Sequence, residues 1–254
     1  MLPANDHFIR VYKSRAAAYH ALIAAEDADG HLLPALRAIT PLAGKRILDL
    51  GSGSGRIPLL LNGLDCEIVA LDLHHAMLVE QTKQLSSLRG AELPKATQRR
   101  DNLPAGTPEP AHRLIQADLR ALPLKPGWAD VAVAGWAIGH FTGWYSDWKA
   151  EAQRALDEMR RATKPGGALI ILETLGTGVL EPGPPNAALA DYYAWLENEL
   201  GFRRQVIATD YEFGSVERAA ELCGFFFGEQ MAANVRANGW SRVPEFTGIW
   251  SQLN

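Results

Sequence analysis

The sequence has few cysteines, no excess of positive charge and no long apolar run. Cys66 and Cys223 are its only cysteines, too few for a disulfide framework and without the C-x-x-C spacing of a zinc site. The formal net charge of -4 gives no field that would attract nucleic acid or an anionic membrane. No apolar run approaches the roughly 18 residues that span a bilayer, and residues 1–10 lack the apolar core of an export signal. We therefore expect a cytoplasmic protein that binds neither nucleic acid nor a membrane.

Apolar segments of strand length alternate with helical patterns along the chain. Strands that are apolar almost throughout form a parallel sheet whose two faces are covered by helices. The predicted strands are residues 46–50, 67–72, 114–118, 130–134, 168–172, 203–209 and 246–251. Helices are predicted near 6–25, 31–39, 57–61, 76–88, 148–163 and 187–200, with two more between 215 and 236.

Three segments do not belong to this alternation. We expect one domain over residues 1–254, because a chain with 47% hydrophobic residues can bury one large core. The helices of residues 1–40 are expected to form a cap before the sheet. The proline-containing stretch 89–113 is expected to be a loop insertion, and residues 210–243 a helical insertion before the last strand.

A glycine-rich turn, D-L-G-S-G-S-G, follows the first predicted strand at residues 49–55. Glycines let the backbone turn sharply and approach a ligand, and ligands of open parallel sheets bind beyond the carboxyl ends of the strands. Free amides at the start of the next helix favour an anionic group. We expect Asp49 to accept amide hydrogen bonds from the loop; a tight turn without a ligand is the alternative. The expected ligand contacts of the loop are Gly51, Ser52, Gly53 and Gly55.

Two carboxylates are predicted at the ends of the next two strands. Asp72 follows Gly53 by 19 residues, the usual distance for a carboxylate that accepts hydrogen bonds from ribose hydroxyls. Asp118 is expected to accept from an adenine amino group while Leu119 covers the ring. Helix capping by Asp72 and a plain turn at Asp118 are the alternatives. The neighbours expected around the adenosine are Leu73, Met77 and Ala117.

The segment after the fourth predicted strand contains the candidate catalytic residue, His140. An imidazole with an ordinary pKa of about 6.5 is a suitable general base near neutral pH. A histidine that only lines the pocket is the alternative. Trp136 and Trp144 in the same segment suit the cradling of a cation, although core packing is as frequent a role for tryptophan. The remaining site candidates are Tyr19 and His20 on the first helix, Glu173 after the fifth strand, and Tyr192.

Four elements have the order and spacing found in class I S-adenosylmethionine-dependent methyltransferases. They are the glycine loop, Asp72, the triplet at 117–119 and the K-P-G-G turn at 164–167. Over residues 40–174 the sequence resembles the ubiquinone-biosynthesis-type branch of that family. The resemblance implies a Rossmann-like α/β fold with a seven-stranded, mostly parallel sheet, an antiparallel last strand and helices on both faces. It also implies S-adenosylmethionine as cofactor and a small-molecule acceptor. No metal is expected, and a homodimer stays open.

Two other functions share parts of this pattern. Tyr145 and Lys149 have the Tyr-x-x-x-Lys spacing of short-chain dehydrogenases. In those enzymes the pair follows the fifth strand, whereas here it follows the fourth, and no serine stands between Asp130 and Tyr145. Arg56 also interrupts the dinucleotide-binding spacing of the loop. A methyltransferase-like protein that binds the cofactor without transferring a methyl group is the second alternative.

Overall fold

A computed structural model describes residues 6–90 and 112–254 of the chain. Its strands are β1 (Lys45–Leu50), β2 (Cys66–Asp72), β3 (His112–Gln116), β4 (Ala129–Gly135), β5 (Thr163–Thr177), β6 (Arg203–Ala208), β7 (Tyr211–Glu212), β8 (Arg242–Val243) and β9 (Glu245–Leu253). Seven of them form one sheet in the order β3-β2-β1-β4-β5-β9-β6. Strands β1 to β5 are parallel, and β9 runs antiparallel between β5 and β6. The predicted fold class is therefore confirmed.

The helices of the described residues cover both faces of the sheet and its carboxyl end. They are α1 (His7–Ser14), α2 (Ala16–Ile23), α3 (Leu32–Ile39), α4 (Arg56–Leu60), α5 (His75–Gly90), α6 (Phe141–Trp144), α7 (Trp148–Ala162), α8 (Ala187–Asn198), α9 (Val216–Phe227) and α10 (Glu229–Asn238). The prediction of one helix over residues 6–25 is wrong. The backbone leaves the helical conformation at Arg15, with φ -128° and ψ 31°, and this break separates α1 from α2.

Alternate side chains of the central strands supply two separate cores. In β1, Leu48 and Leu50 belong to the core that contains α7 and α8, whereas Ile47 belongs to the core that contains α3. All three side chains are almost completely buried. Since successive residues of a strand point to opposite faces, a strand covered on both faces must be apolar throughout. Each such side chain contributes about 1.5–3 kcal/mol by leaving water.

A third core lies beyond the carboxyl end of the sheet. Leu22 of α2 packs there against Tyr211, Cys223 of α9 and Val243 of β8. The N-terminal helices and the segment 210–243 thus cover the sheet end together. That these segments, with 89–113, are additions to a single domain stays a prediction. Most of the predicted 89–113 loop lies outside the described residues, which show α5 continuing to residue 90 and β3 beginning at residue 112.

The K-P-G-G turn at residues 164–167 forms an irregularity near the start of β5. Thr163 pairs with Ala129, but the next pair in the register is Ala168 with Val131. A Cβ at Gly167 would lie 2.8 Å from the backbone oxygen of Asp130. The strands β4 and β5 therefore approach too closely here for any side chain at residue 167. Within the ranges 6–90 and 112–254, none of the helices has the length and apolarity needed to cross a bilayer.

Candidate active site

A cavity of about 570 Å³ opens at the carboxyl ends of β1, β2, β4 and β5. The glycine loop and the strand ends form one side, and residues of α1, α2 and α9 form the other. Its volume lies within the roughly 300–1,000 Å³ that small-molecule sites occupy. Twelve of the predicted site residues line it: Tyr19, Asp49, Gly51, Ser52, Gly53, Asp72, Leu73, Met77, Asp118, Leu119, Trp136 and His140, joined by the predicted acceptor residues Trp144 and Glu173.

The glycine loop needs its glycines both for conformation and for space. Gly51, Gly53 and Gly55 have φ values of 71°, 54° and 100°. A Cβ at Gly51 would lie 2.5 Å from the Cβ of Ala137, and a Cβ at Gly55 would lie 2.7 Å from Cγ of Gln81. Gly55 does not line the cavity but lies against α5, and its predicted ligand contact stays a prediction. The loop is thereby packed tightly onto its neighbours.

The loop amides do not bond to Asp49, contrary to the expectation from the sequence. Ser52 N donates to the backbone oxygen of Leu71 (2.8 Å), Gly53 N to Asp72 Oδ2 (2.9 Å), and Gly55 N to the backbone oxygen of Ser52 (2.9 Å). Asp49 is 1% exposed, and its Oδ2 bonds to no described residue. Burial, and then the charge of Asp72, raise the pKa of Asp49 well above its usual range. A buried carboxyl oxygen without a donor costs free energy unless a ligand supplies one.

Asp72 fixes the shape of the loop from the end of β2. Its Oδ2 accepts from Gly53 N, and its Oδ1 accepts from His74 N at 2.7 Å, at the entry to α5. Burial raises its pKa to about 6, while these two amide bonds act in the opposite direction. Each carboxylate oxygen retains a second lone pair. Asp72 can therefore hold the turn and still accept hydrogen bonds from a ligand in the cavity.

Asp118 is held by a cation that sequence reasoning missed. β3 ends at Gln116, so Asp118 lies two residues beyond the strand rather than at its end. Arg120 Nε donates to Asp118 Oδ1 (2.9 Å) and its Nη2 to Oδ2 (2.5 Å), and these bonds lower the pKa of the carboxyl group. Arg120 also pairs with Glu151. The lone pairs of the Asp118 carboxylate are therefore shared between this ion pair and the predicted hydrogen bond from adenine.

His140 lies in an aromatic enclosure between the sheet and α1. Its ring stacks on Trp144 with 4.7 Å between centroids, and its Nε2 forms a 2.9 Å hydrogen bond with Tyr12 Oη. Phe8 also contacts it, with centroids 5.4 Å apart. Burial lowers the pKa of His140 from 6.5 to about 4, against a smaller opposing effect of Asp6. The imidazole is therefore neutral at physiological pH and able to accept a proton, although it is a weaker base than an exposed histidine.

Glu173 stands at the base of the same enclosure. Its Oε1 accepts from Gly139 N at 2.8 Å, and a Cβ at Gly139 would lie 2.7 Å from Glu173 Oε2. Burial raises the pKa of Glu173 to about 8, with the Gly139 amide acting in the opposite direction. The carboxyl group is thus mostly protonated at pH 7, and it can donate as well as accept a hydrogen bond.

Three further predicted residues lie outside the cavity wall. His20 Nδ1 bonds to Ser54 Oγ at 3.0 Å, which joins α2 to the loop from behind. The Ala117 amide donates to the backbone oxygen of Asp72 (3.0 Å) and so continues the pairing of β2 and β3. Tyr192, on α8, is completely buried in the core. None of these three residues lines the cavity, and their predicted ligand contacts stay predictions.

A second polar cluster was missed by sequence reasoning. Arg56 forms a buried ion pair with Glu26 at the end of α2, and its guanidinium lies 4.1 Å from the ring centroid of Trp136. Glu245 of β9 accepts from Thr174 Oγ1 at 2.7 Å. Glu26, Arg56 and Glu245 all line the cavity. They come from three distant parts of the chain, so no local pattern pointed to them.

The sheet order, the glycine loop and the cavity beyond it define a Rossmann-like α/β protein built to hold a nucleotide-containing ligand. Residues 48–171 match the family model described as a methyltransferase domain. The chain is thus similar to class I S-adenosylmethionine-dependent methyltransferases, including those of ubiquinone and menaquinone biosynthesis.

Similar curated proteins match more than half of the chain. The demethylmenaquinone methyltransferase of Thermus thermophilus is 29% identical over 153 residues, which are 59% of this chain and 54% of that protein. The ubiquinone/menaquinone biosynthesis C-methyltransferase of Syntrophotalea carbinolica is 31% identical over 143 residues, 56% of this chain and 48% of that protein. This chain thus spans about half the length of the curated relatives it matches.

Similar solved structures extend over the whole chain. A SAM-dependent methyltransferase from Aquifex aeolicus is 14% identical, with a TM-score of 0.51, over 91% of this chain and 92% of that chain. The phosphoethanolamine N-methyltransferase 2 of Haemonchus contortus is 14% identical, with a TM-score of 0.55, over 98% of this chain and 60% of that chain. At this identity the likeness shows a shared fold.

Proposed function

We propose that this protein transfers a methyl group from S-adenosylmethionine to a small organic acceptor held in the 570 Å³ cavity. The observation that carries the proposal is the juxtaposition of the tightly packed glycine loop with two buried carboxyl groups, Asp49 and Asp72, at the cavity wall. The match of residues 48–171 to a methyltransferase domain favours this activity, but the curated relatives are about twice as long as the region they share with this chain.

The residues present fit the cofactor. Asp72 supplies acceptor oxygens for ribose hydroxyls, and the apolar side chains of Leu73, Met77 and Leu119 line the adjoining wall for an adenine ring. Asp49 Oδ2, buried and without a protein donor, suits the amino group of the methionine part. The glycines keep side chains out of the space between these groups.

The bound cofactor would supply an electrophilic methyl group on a sulfonium. The protein's contribution is then to hold the acceptor in line and to exclude water, effects that reach roughly 7–11 kcal/mol in favourable cases. Phe8, Tyr12 and Trp144 provide the apolar enclosure on the acceptor side. His140 is neutral there and would take up the proton of an acceptor hydroxyl or amine, with Tyr12 fixing its orientation.

Binding of S-adenosylhomocysteine provides the direct test. We expect micromolar affinity in calorimetric titration, and we expect Asp72→Ala to weaken it at least tenfold, or about 1.4 kcal/mol. The variant loses both the ribose acceptor and the acceptor of the Gly53 amide. Asp65→Ala is the matched control, since Asp65 is exposed just before the opposite end of β2. Tight NAD binding without any response to S-adenosylhomocysteine would rule the proposal out.

The protonation state of His140 gives a second expected result. Because burial holds its pKa near 4, the ring resonances of His140 should not titrate between pH 5.5 and 8 in two-dimensional NMR spectra. A midpoint near 6.5 for His140, assigned with His140→Gln, would contradict the buried arrangement. Full turnover of His140→Ala at every pH would exclude this residue as the base.

The dehydrogenase alternative is not favoured by the arrangement of its two residues. Tyr145 lines the cavity, but Lys149 is exposed and its Nζ donates to Glu199 Oε1 at 2.9 Å. Cofactor binding without transfer is separated from methyl transfer by a screen of small metabolites with a labelled methyl donor. Transfer of label to any small acceptor supports the enzyme. Oligomeric state and the absence of nucleic-acid binding stay predictions.

A further inference from the structure

Several buried polar atoms of the cavity wall make no hydrogen bond with any described residue, and three of them belong to one cluster: Glu26 Oε1, Glu245 Oε2 and Arg56 Nη2. The side chain of Glu26 is 4% exposed, and Glu245 as a whole residue is 1% exposed. Buried polar groups in folded proteins are nearly always bonded, since each one left unpaired costs about 1–3 kcal/mol. Three such atoms on one wall indicate a site that a ligand completes.

The three side chains form one group. Arg56 and Glu26 are an ion pair, so one oxygen and one nitrogen are already bonded and the other of each is left for a ligand. Glu245 lies close enough for the charge of Glu26 to add to burial in raising its pKa, while Arg56 acts in the opposite direction. Thr174 Oγ1 donates to Glu245 Oε1, which leaves Oε2 for the ligand.

The polar groups of the wall favour a ligand that donates hydrogen bonds over one that only accepts them. Arg56 is the only lysine or arginine among the described cavity-lining residues, and Glu26 already neutralises it. Asp6, Glu173 and Glu245 add further carboxyl groups. An anionic head group would lie against carboxyl oxygens of this wall. An ammonium group would find two hydrogen-bond acceptors there, Glu26 Oε1 and Glu245 Oε2. The donor at Arg56 Nη2 then requires an oxygen beside the ammonium.

We propose that Glu26, Arg56 and Glu245 form an acceptor subsite for an ammonium group with a neighbouring hydroxyl or carbonyl oxygen. Glu26 Oε1 and Glu245 Oε2 accept from the ammonium, and Arg56 Nη2 donates to the oxygen. This assignment rests on the proposed methyltransferase function, because it describes how the same cavity recognises its acceptor. The subsite lies near Tyr19, since the charges of Glu26 and Arg56, like that of Asp72, affect the pKa of this tyrosine, which burial raises.

Three aromatic probes of similar size test the subsite by calorimetry on protein saturated with S-adenosylhomocysteine. Phenylglycinol carries an amine and a hydroxyl, 1-phenyl-1,2-ethanediol carries two hydroxyls, and mandelate carries a hydroxyl and a carboxylate. We expect phenylglycinol to bind at least tenfold more tightly than the diol, and mandelate to bind most weakly. Equal affinities, a preference for mandelate, or no phenylglycinol binding at millimolar concentration would overturn the proposal.

Two variants and a control separate this subsite from the cofactor site. Glu245→Gln and Glu26→Gln, each made alone, should weaken the binding of phenylglycinol at least tenfold. The affinity for S-adenosylhomocysteine should stay within twofold of the wild-type value. Glu181→Gln removes the same charge from an exposed loop and should change neither affinity. If the two cavity variants instead weaken the binding of S-adenosylhomocysteine, the cluster is part of the cofactor site and the proposal fails. If the wild-type protein does not bind S-adenosylhomocysteine at all, it is the proposed function that fails.

Discussion

Gly51→Ala should lower the free energy of unfolding by about 2–5 kcal/mol. It should also weaken the binding of S-adenosylhomocysteine at least tenfold. The left-handed φ of 71° costs an alanine about 1–2 kcal/mol, and the overlap with Ala137, whose Cβ would be 2.5 Å away, adds about 1–3 kcal/mol. The loop must shift to relieve the overlap, and this shift moves the surface that faces the ligand. Denaturant unfolding and calorimetric titration measure the two effects.

Gly63→Ala isolates the backbone component of this effect. Gly63 also has a positive φ, 85°, but an added Cβ there would meet nothing within 4 Å. It should cost only about 1–2 kcal/mol and leave ligand affinity unchanged. Adding Ala137→Gly to Gly51→Ala removes the overlapping methyl group and should recover part of both losses. Equal destabilisation by Gly51→Ala and Gly63→Ala would show that the close approach to Ala137 has no energetic role.

Glu173→Gln should stabilise the protein increasingly as the pH rises. The ordinary pKa of this carboxyl group is 4.5, and burial raises it to about 8 in the folded protein. Between these values the unfolded chain releases the proton while the folded chain retains it, so the wild type loses about 1.4 kcal/mol of stability per pH unit. Glutamine does not titrate, and its oxygen can still accept from the Gly139 amide.

The stability difference between Glu173→Gln and the wild type should therefore be roughly 3 kcal/mol larger at pH 8 than at pH 5. Below pH 4.5 both states of the wild type are protonated, and the difference should become constant. Denaturant unfolding at several pH values measures it. Glu181→Gln, which makes the same change at an exposed position, is the matched control. A difference that is independent of pH would mean that Glu173 titrates normally in the folded protein.

The sheet could be predicted because its signals are local. The strand predicted at residues 130–134 is observed at Ala129–Gly135, and that predicted at 246–251 at Glu245–Leu253. A strand covered on both faces carries its apolar pattern within a few consecutive residues. The break at Arg15 was missed, since apolar spacing alone does not show where the backbone leaves a helix.

The site could be predicted in part. Gly51 and Asp72 were found because a backbone turn and a strand end belong to short stretches of sequence with a fixed place in the fold. Asp118 was expected to be available to a ligand, but Arg120 holds both of its oxygens. Only Leu119 separates the two residues, yet nothing in the sequence shows that the arginine turns back rather than pointing to solvent.

The sequence by itself determined the order of the apolar strand segments, the position of the glycine loop and the resemblance to a methyltransferase family. Only the tertiary structure decided that Tyr12 meets His140, and that Glu26, Arg56 and Glu245 share one wall. The physical reason is the distance along the sequence between the residues that interact. Backbone conformation and strand burial are set by neighbours in the chain, whereas charge, burial and hydrogen bonding in the cavity depend on residues brought together from distant segments.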